Sequence, residues 1–152
     1  MKKKIIPVLL CALCACGSSD DDMTKPVISD KGIVAMPTDC QVYHRGDIIP
    51  FHYVFTDDTE LGNYNIEIHH NFDHHTHGTT ATVCEMDEKK APVNAWIFNN
   101  DYEIPAGQTT YNSRLDIRIP DDIDTGDYHF SIRVTDRAGW QEMKALSIKI
   151  VE

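Results

Sequence analysis

The sequence lacks an apolar stretch long enough to cross a bilayer as a helix. Its longest apolar run, residues 5–15, has eleven residues, whereas a membrane-spanning helix needs about 20. Basic residues are also scarce, since 14 Lys and Arg stand against 24 Asp and Glu, for a formal net charge of −10. Such a chain repels phosphate backbones, so we expect no nucleic-acid partner.

The motifs of common catalytic sites are missing as well. The sequence has no Gly-x-Ser-x-Gly turn, no His-Glu-x-x-His motif, no phosphate-binding glycine loop and no Cys-x-x-Cys-His haem attachment site. A catalytic centre needs a nucleophile with its base, paired carboxylates in a cleft, or a metal with an open position. We therefore expect a binding or structural protein and not an enzyme.

The N-terminus has the pattern of an export signal. Three lysines follow Met1, the apolar run comes next, and Leu13-Cys14-Ala15-Cys16 ends the segment. This ending resembles the bacterial lipobox, whose last cysteine receives the lipid. The resemblance implies that residues 1–15 are a signal peptide and that Cys16 is lipidated. An uncleaved signal anchor is the alternative, which the short apolar run disfavours.

Small and acidic residues follow Cys16. Residues 17–22 offer no apolar side chain that could pack, so residues 16–23 are predicted to be the lipidated cysteine and a flexible acidic tether. Serine and acidic residues directly after such a cysteine also resemble the surface-export signal of Bacteroidota lipoproteins. That resemblance implies a lipid anchor in the outer membrane with the protein exposed at the cell surface. Anchoring that faces the periplasm is the alternative.

Alternation of apolar and polar residues dominates residues 24–152, which we interpret as one domain. Turn residues separate the alternating runs, and no apolar stripe has helical spacing, so the class is all-β. The clearest runs are residues 51–55, 64–69, 115–119, 128–134 and 146–150. Residues 93–98 also read as a buried strand around Trp96, whereas Trp140 is expected to be exposed at a turn.

One local pattern narrows the fold. The segment from Asp124 to Phe130, with Tyr128 near its end, resembles the tyrosine corner of immunoglobulin domains, where a Tyr hydroxyl bonds back to the backbone. Phe130 stands where antibody domains carry a cysteine. The resemblance implies an immunoglobulin-like antiparallel β-sandwich of about seven strands.

Two cysteines remain in the domain, Cys40 and Cys84. In an oxidising exterior such a pair favours a disulfide. Two separate buried thiols, or Cys84 as a metal ligand, are the alternatives.

Five of the eight histidines lie between His69 and His77. Neutral imidazole binds borderline metals, and short His-rich tracts bind them as well. In extended backbone Asp73, His75 and His77 share one face, and His70 at the end of the preceding strand could close a site. We predict that these four residues, His70, Asp73, His75 and His77, bind Zn²⁺, Cu²⁺ or Ni²⁺. A solvated polar loop without a specific ion is the alternative.

Other side chains are weaker candidates for the same ion, namely His69, His74, His129 and Cys84. Strand parity points Glu67 and His69 outward from one strand and His129 outward from another, and these strands share a sheet in immunoglobulin domains. His52 should face outward from the opposite sheet.

A calcium site is a weaker prediction. Asp57, Asp58 and Glu60 could join Asp136 around Ca²⁺, which prefers oxygen ligands. Such acids more often shape turns through hydrogen bonds to nearby backbone.

The mature sequence resembles a small family of uncharacterised Bacteroidota lipoproteins that share the immunoglobulin-like pattern and a His-rich segment after the third strand. The resemblance implies no particular activity. The residues favour a surface lipoprotein that captures or buffers a transition metal. Its expected partners are the membrane and an outer-membrane transporter or surface-complex protein. The alternatives are an adhesion, glycan-binding or protein-binding module without a specific metal, and a spacer domain.

Overall fold

The computed structural model describes residues 22–76 and 84–152. These residues form eight β-strands and no helix, and so contain no helix that could span a membrane. The strands are β1 (Val27–Ser29), β2 (Gln41–His44), β3 (Ile48–Thr56), β4 (Leu61–His70), β5 (Phe98–Glu103), β6 (Thr110–Arg118), β7 (Gly126–Asp136) and β8 (Gln141–Val151).

The strands form two sheets that pack face to face. One sheet has the order β1-β3-β6 and the other the order β2-β8-β7-β4-β5. In immunoglobulin domains strands A, B and E form one sheet and G, F and C the other, which is the order seen here. The predicted all-β sandwich is therefore confirmed, with eight strands instead of about seven. The pairing of β2 with β8 is parallel, which the prediction of an antiparallel sandwich did not include.

Apolar side chains on the inner faces of both sheets form the core. The ring of Phe51 on β3 lies 6.0 Å from the rings of Tyr64 on β4 and Phe130 on β7, so aromatic contacts join the sheets. Ile66 and Ile132, on the same inner face as these rings, are fully buried. Burial of each such side chain stabilises the fold by about 1.5–3 kcal/mol. The alternation of apolar and polar residues in the sequence thus matches the alternation of buried and exposed side chains along the strands.

The predicted tyrosine corner is confirmed. The Tyr128 hydroxyl donates a hydrogen bond to the carbonyl of Asp124 at 2.6 Å and accepts one from the backbone N–H of Trp96 at 3.3 Å. Burial raises the pKa of this hydroxyl, which keeps it protonated as a donor. The corner fixes the start of β7 against the segment that precedes β5.

The prediction of a strand at residues 93–98 is wrong. Trp96 is buried, but Val93 and Ile97 are 93% and 73% exposed, and β5 begins only at Phe98. The Asp124 carboxylate accepts the N–H groups of Val93 and of the next residue, at 2.7 and 2.8 Å. Those donors are consequently not available to a strand ladder. Trp140 is 38% exposed at the start of β8, as expected.

A disulfide joins Cys40, directly before β2, to Cys84, with the two Cα atoms 5.3 Å apart. It ties the segment that follows Cys84 to the edge of the larger sheet. Because the sulfur of Cys84 is bonded to Cys40, the prediction of Cys84 as a metal ligand is wrong.

Residues 22 and 23, at the end of the predicted tether, are among the described residues. The carbonyl of Asp22 accepts a hydrogen bond from the indole N–H of Trp140 at 2.8 Å. Asp22 is thus attached to the domain, since a flexible tether would make no such contact.

Candidate metal centre

Two histidines face each other across neighbouring strands of the larger sheet. His69 on β4 is the direct register partner of His129 on β7. Ile68 and Phe130 point into the core, so His69 and His129 project from the outer face, because side chains alternate along a strand. Opposite residues in such a pair lie within side-chain contact. The parity argument therefore placed this pair correctly.

The loop after β4 brings a third histidine to the pair. His74 N–H donates to the Asn71 carbonyl at 3.1 Å, and His74 has a φ of 59°, in the left-handed region. Phe72, 2% exposed, anchors the turn in the core with its ring 5.4 Å from that of Tyr128. The chain folds back at this point, so that His75 lies on the outer face beside His69.

The three imidazole rings are in mutual contact. The centroid of the His75 ring lies 5.4 Å from that of His69 and 4.9 Å from that of His129, and the His69 and His129 centroids are 5.4 Å apart. The Nε2 atoms of His69 and His75 are 3.3 Å apart. The Nε2 atom of His129 donates to the carbonyl of His75 at 3.1 Å. His129, 8% exposed, thereby holds the backbone of His75 in place.

A carboxylate contacts the other nitrogen of each paired ring. Glu67 Oε1 lies 3.2 Å from Nδ1 of His69, and Asp73 Oδ1 lies 2.5 Å from Nδ1 of His75. The hydrogen bond with His75 holds the pKa of Asp73 below its ordinary value. The Asp73 carboxylate thus favours the tautomer of His75 whose proton is on Nδ1, and it orients that ring as carboxylates do in histidine–metal sites. The contact of Glu67 with His69 lies at ion-pair distance without hydrogen-bond geometry.

This arrangement can hold one cation between the two Nε2 atoms. The Nε2 atoms of His69 and His75 share a hydrogen bond, in which one ring donates to the other. A metal ion that binds both nitrogens would replace that shared proton. Two ligands of a tetrahedral ion with Zn–N bonds of 2.0–2.1 Å lie about 3.4 Å apart. The observed separation of 3.3 Å fits that requirement without rearrangement of the pair.

The four preferred ligands lie in different places relative to the histidine cluster. His75 is in the cluster, and Asp73 is beside it but contacts Nδ1 of His75, so it orients a ligand instead of being one. The structure does not bring His70 to the cluster, because it follows His69 on β4 and its ring lies on the other face, 4.9 Å from Phe72. His77 lies outside the described residues.

Of the remaining candidates, some belong to the cluster and others do not. His69 and His129, which the sequence ranked lower, are central to the cluster. His74 is directed elsewhere, since its Nε2 contacts the carbonyl of Asp87 at 2.9 Å. His52 lies on the smaller sheet, where it contacts Asn112 at 2.8 Å. Cross-strand parity was the signal that could have raised the rank of His69 and His129, whereas the chain reversal at His74 has no clear sequence signal.

Fold and site together define a domain of the immunoglobulin-like β-sandwich class with a histidine cluster at one end of its larger sheet. Residues 14–151 match the model of a family described as a domain of unknown function (DUF4625). The match spans most of the chain, so the protein belongs to that family. No curated protein matches the sequence.

Proposed function

We propose that this protein is a cell-surface lipoprotein that captures or buffers a transition-metal ion of the Zn²⁺, Cu²⁺ or Ni²⁺ type. The observation that carries the proposal is the pair of Nε2 atoms in His69 and His75, 3.3 Å apart, with a carboxylate on each opposite nitrogen. Neutral imidazoles oriented in this way are ligands for borderline metals. His129, whose Nε2 donates to the carbonyl of His75, holds that ligand in place, and His77 stays a predicted ligand.

The placement of the cluster supports capture at a surface. Lipidation of Cys16 would attach the N-terminal end of the domain to the membrane, and Asp22 contacts Trp140 close to the last residue of β7. His129 lies near the first residue of β7, so seven residues of strand separate the two ends. At about 3.3 Å per residue the cluster is roughly 23 Å from the anchored end. The proposed metal site would face away from the membrane.

The test is elemental analysis of protein purified without a tag or a nickel column, followed by calorimetric titration with Zn²⁺ and Cu²⁺. We expect about one tight equivalent per chain. His69→Ala and His75→Ala should each abolish tight binding, because each removes half of the Nε2 pair. His44→Ala, which removes an exposed histidine on β2, is the matched control and should leave the affinity unchanged.

Glu67→Gln tests the orienting role of the carboxylates. Loss of such a partner weakens metal affinity by about 10–100-fold in known sites. Glu103→Gln, at the exposed end of β5, is its control. Millimolar affinity, or equal losses in His44→Ala and His75→Ala, would contradict the proposal. Binding of a glycan or protein partner that survives a chelator would instead support the adhesion module.

A further inference from the structure

We infer a second cation site, for Ca²⁺, formed by Asp22, Asp57 and Asp136. It lies at the end of the larger sheet opposite the histidine cluster and does not depend on the proposed function. Asp57 follows β3, Asp136 ends β7, and Asp22 belongs to the segment that enters the domain. One carboxylate oxygen from each residue lies within 4.8 Å of the others. Two ligands on one Ca²⁺ are at most about 4.8 Å apart, given Ca–O distances near 2.4 Å.

One residue of this group has a buried oxygen without a hydrogen-bond partner. Asp136 is 4% exposed, and its Oδ1 accepts the backbone N–H of Trp140 at 2.8 Å. Its Oδ2 is buried and has no hydrogen-bond partner. A buried carboxylate oxygen without a donor is costly, by about 1–3 kcal/mol or more. A bound cation would remove that penalty.

In Asp57, as in Asp136, one carboxylate oxygen is hydrogen-bonded and the other is not. Its Oδ1 accepts the N–H groups of Thr59 and Glu60, both at 2.9 Å, and so shapes the turn between β3 and β4. Its Oδ2 is buried and makes no hydrogen bond. In both Asp57 and Asp136 the turn therefore uses Oδ1, and the buried Oδ2 stays available to a cation.

No basic side chain of the described residues neutralises the group. The ion pairs in this part of the chain include none with Asp22, Asp57 or Asp136. Three carboxylates within 4.8 Å of one another repel when all are ionised. Hard divalent cations are the species that such oxygen sets bind, and Ca²⁺ completes its six to eight ligands with carbonyls and water.

The site differs from the acidic set predicted from the sequence. Asp58 accepts the Thr24 hydroxyl at 2.6 Å, and Glu60 accepts the N–H of Gly107 at 2.8 Å and contacts Arg137. Those two carboxylates are consequently engaged elsewhere. Asp22 takes their place, which means that Ca²⁺ would clamp the N-terminal segment to the turns at this end of the sandwich.

Terbium luminescence tests the site directly in the full-length protein after removal of metal with a chelator. Tb³⁺ replaces Ca²⁺ at oxygen sites, and Trp140 contacts both Asp22 and Asp136, so its excitation should be transferred to the bound ion. The other tryptophan, Trp96, contacts Tyr128 near the opposite end of β7. We expect a saturable signal that Ca²⁺ displaces and that Trp140→Phe strongly reduces.

Calorimetry with Ca²⁺ then assigns the ligands. We expect one equivalent per chain, and affinity weaker by at least about tenfold in Asp22→Asn and Asp136→Asn, since each removes one of three anionic ligands. Asp116→Asn, which makes the same charge change at an exposed position of β6, should not alter it. If Asp136→Asn fails to fold, Asp22→Asn decides, because its side chain is less buried.

Two results would overturn the inference. One is the absence of saturable Ca²⁺ and Tb³⁺ binding to the folded protein, and the other is an equal loss of affinity in Asp116→Asn, which would indicate diffuse attraction by the negative net charge. His69→Ala should leave Ca²⁺ binding intact, so failure of the transition-metal site and failure of this site are separate outcomes.

Discussion

At the scale of single residues, carboxylates position neighbouring rings and backbone groups through hydrogen bonds. Asp73 hydrogen-bonds Nδ1 of His75 and so directs the opposite nitrogen of that ring toward His69. Asp124 acts on backbone in the same way, because both N–H groups that it accepts belong to the segment before β5. In each case one acidic side chain fixes the orientation of a neighbouring ring or backbone segment.

The first prediction concerns Asp124, whose pKa lies below its ordinary value because of the hydrogen bond from Val93 N–H. A carboxyl group with a lowered pKa in the folded state stabilises it above the ordinary pKa, near 3.9, and loses that contribution as the pH falls through the folded value. Asp124→Asn should therefore lower the free energy of unfolding at pH 7 by at most about 1 kcal/mol, since solvent screens this half-exposed group.

Urea unfolding of wild type and Asp124→Asn at several pH values is the measurement. The difference between the two proteins should be largest above about pH 5 and shrink toward zero in acid, where the wild-type carboxyl group is protonated. Asp116→Asn serves as control, since its exposed side chain lies on β6 away from this loop. A difference that stays constant from neutral to acid pH would show that charge at Asp124 is not the cause.

At the scale of elements, the strands could be predicted from the sequence, whereas the course of the connecting loops could not. The period of two identified β3, β4, β6, β7 and β8, and parity assigned His69 and His129 to one outer face. Local spacing carries that information because side chains alternate in any strand. The reversal at His74 depends on burial of Phe72 against Tyr128, a contact between residues far apart in sequence. Parity alone separates His69 from His70, whose rings lie on opposite faces of β4, whereas the position of His75 depends on that reversal.

The second prediction concerns the disulfide, which links elements that the sheets leave apart. It closes a loop with a sequence separation of 44 residues, and the chain-entropy model assigns about 4 kcal/mol to such a loop. Replacing both Cys40 and Cys84 with Ala should lower the free energy of unfolding by roughly that amount, as measured by denaturant unfolding. Reduced wild-type protein should show the same loss, and an unchanged midpoint in both would contradict the prediction.

At the scale of the whole molecule, β7 connects two places where acidic or imidazole groups converge. His129 near its start belongs to the histidine cluster, and Asp136 at its end belongs to the acidic group. The same strand starts at the tyrosine corner and is the central one of the five-stranded sheet. A rigid central strand therefore fixes the separation of the two proposed sites, and only the acidic one includes a residue from the N-terminal segment.

The last prediction concerns the anchor, which would set the orientation of both sites. Acyl chains contribute about 0.8 kcal/mol per buried CH₂ group, so a diacylglycerol on Cys16 would hold the protein on the membrane essentially permanently. Cys16→Ser removes the thiol that would accept the lipid, and we expect it to move the protein from the membrane fraction to the soluble fraction. Fractionation of cells that express each form measures this, with Cys14→Ser as the matched control. Because none of the proposed metal ligands is near Cys16 in the sequence, the released protein should still bind one transition-metal ion. A Cys16→Ser form that stays with the membrane would contradict the anchor.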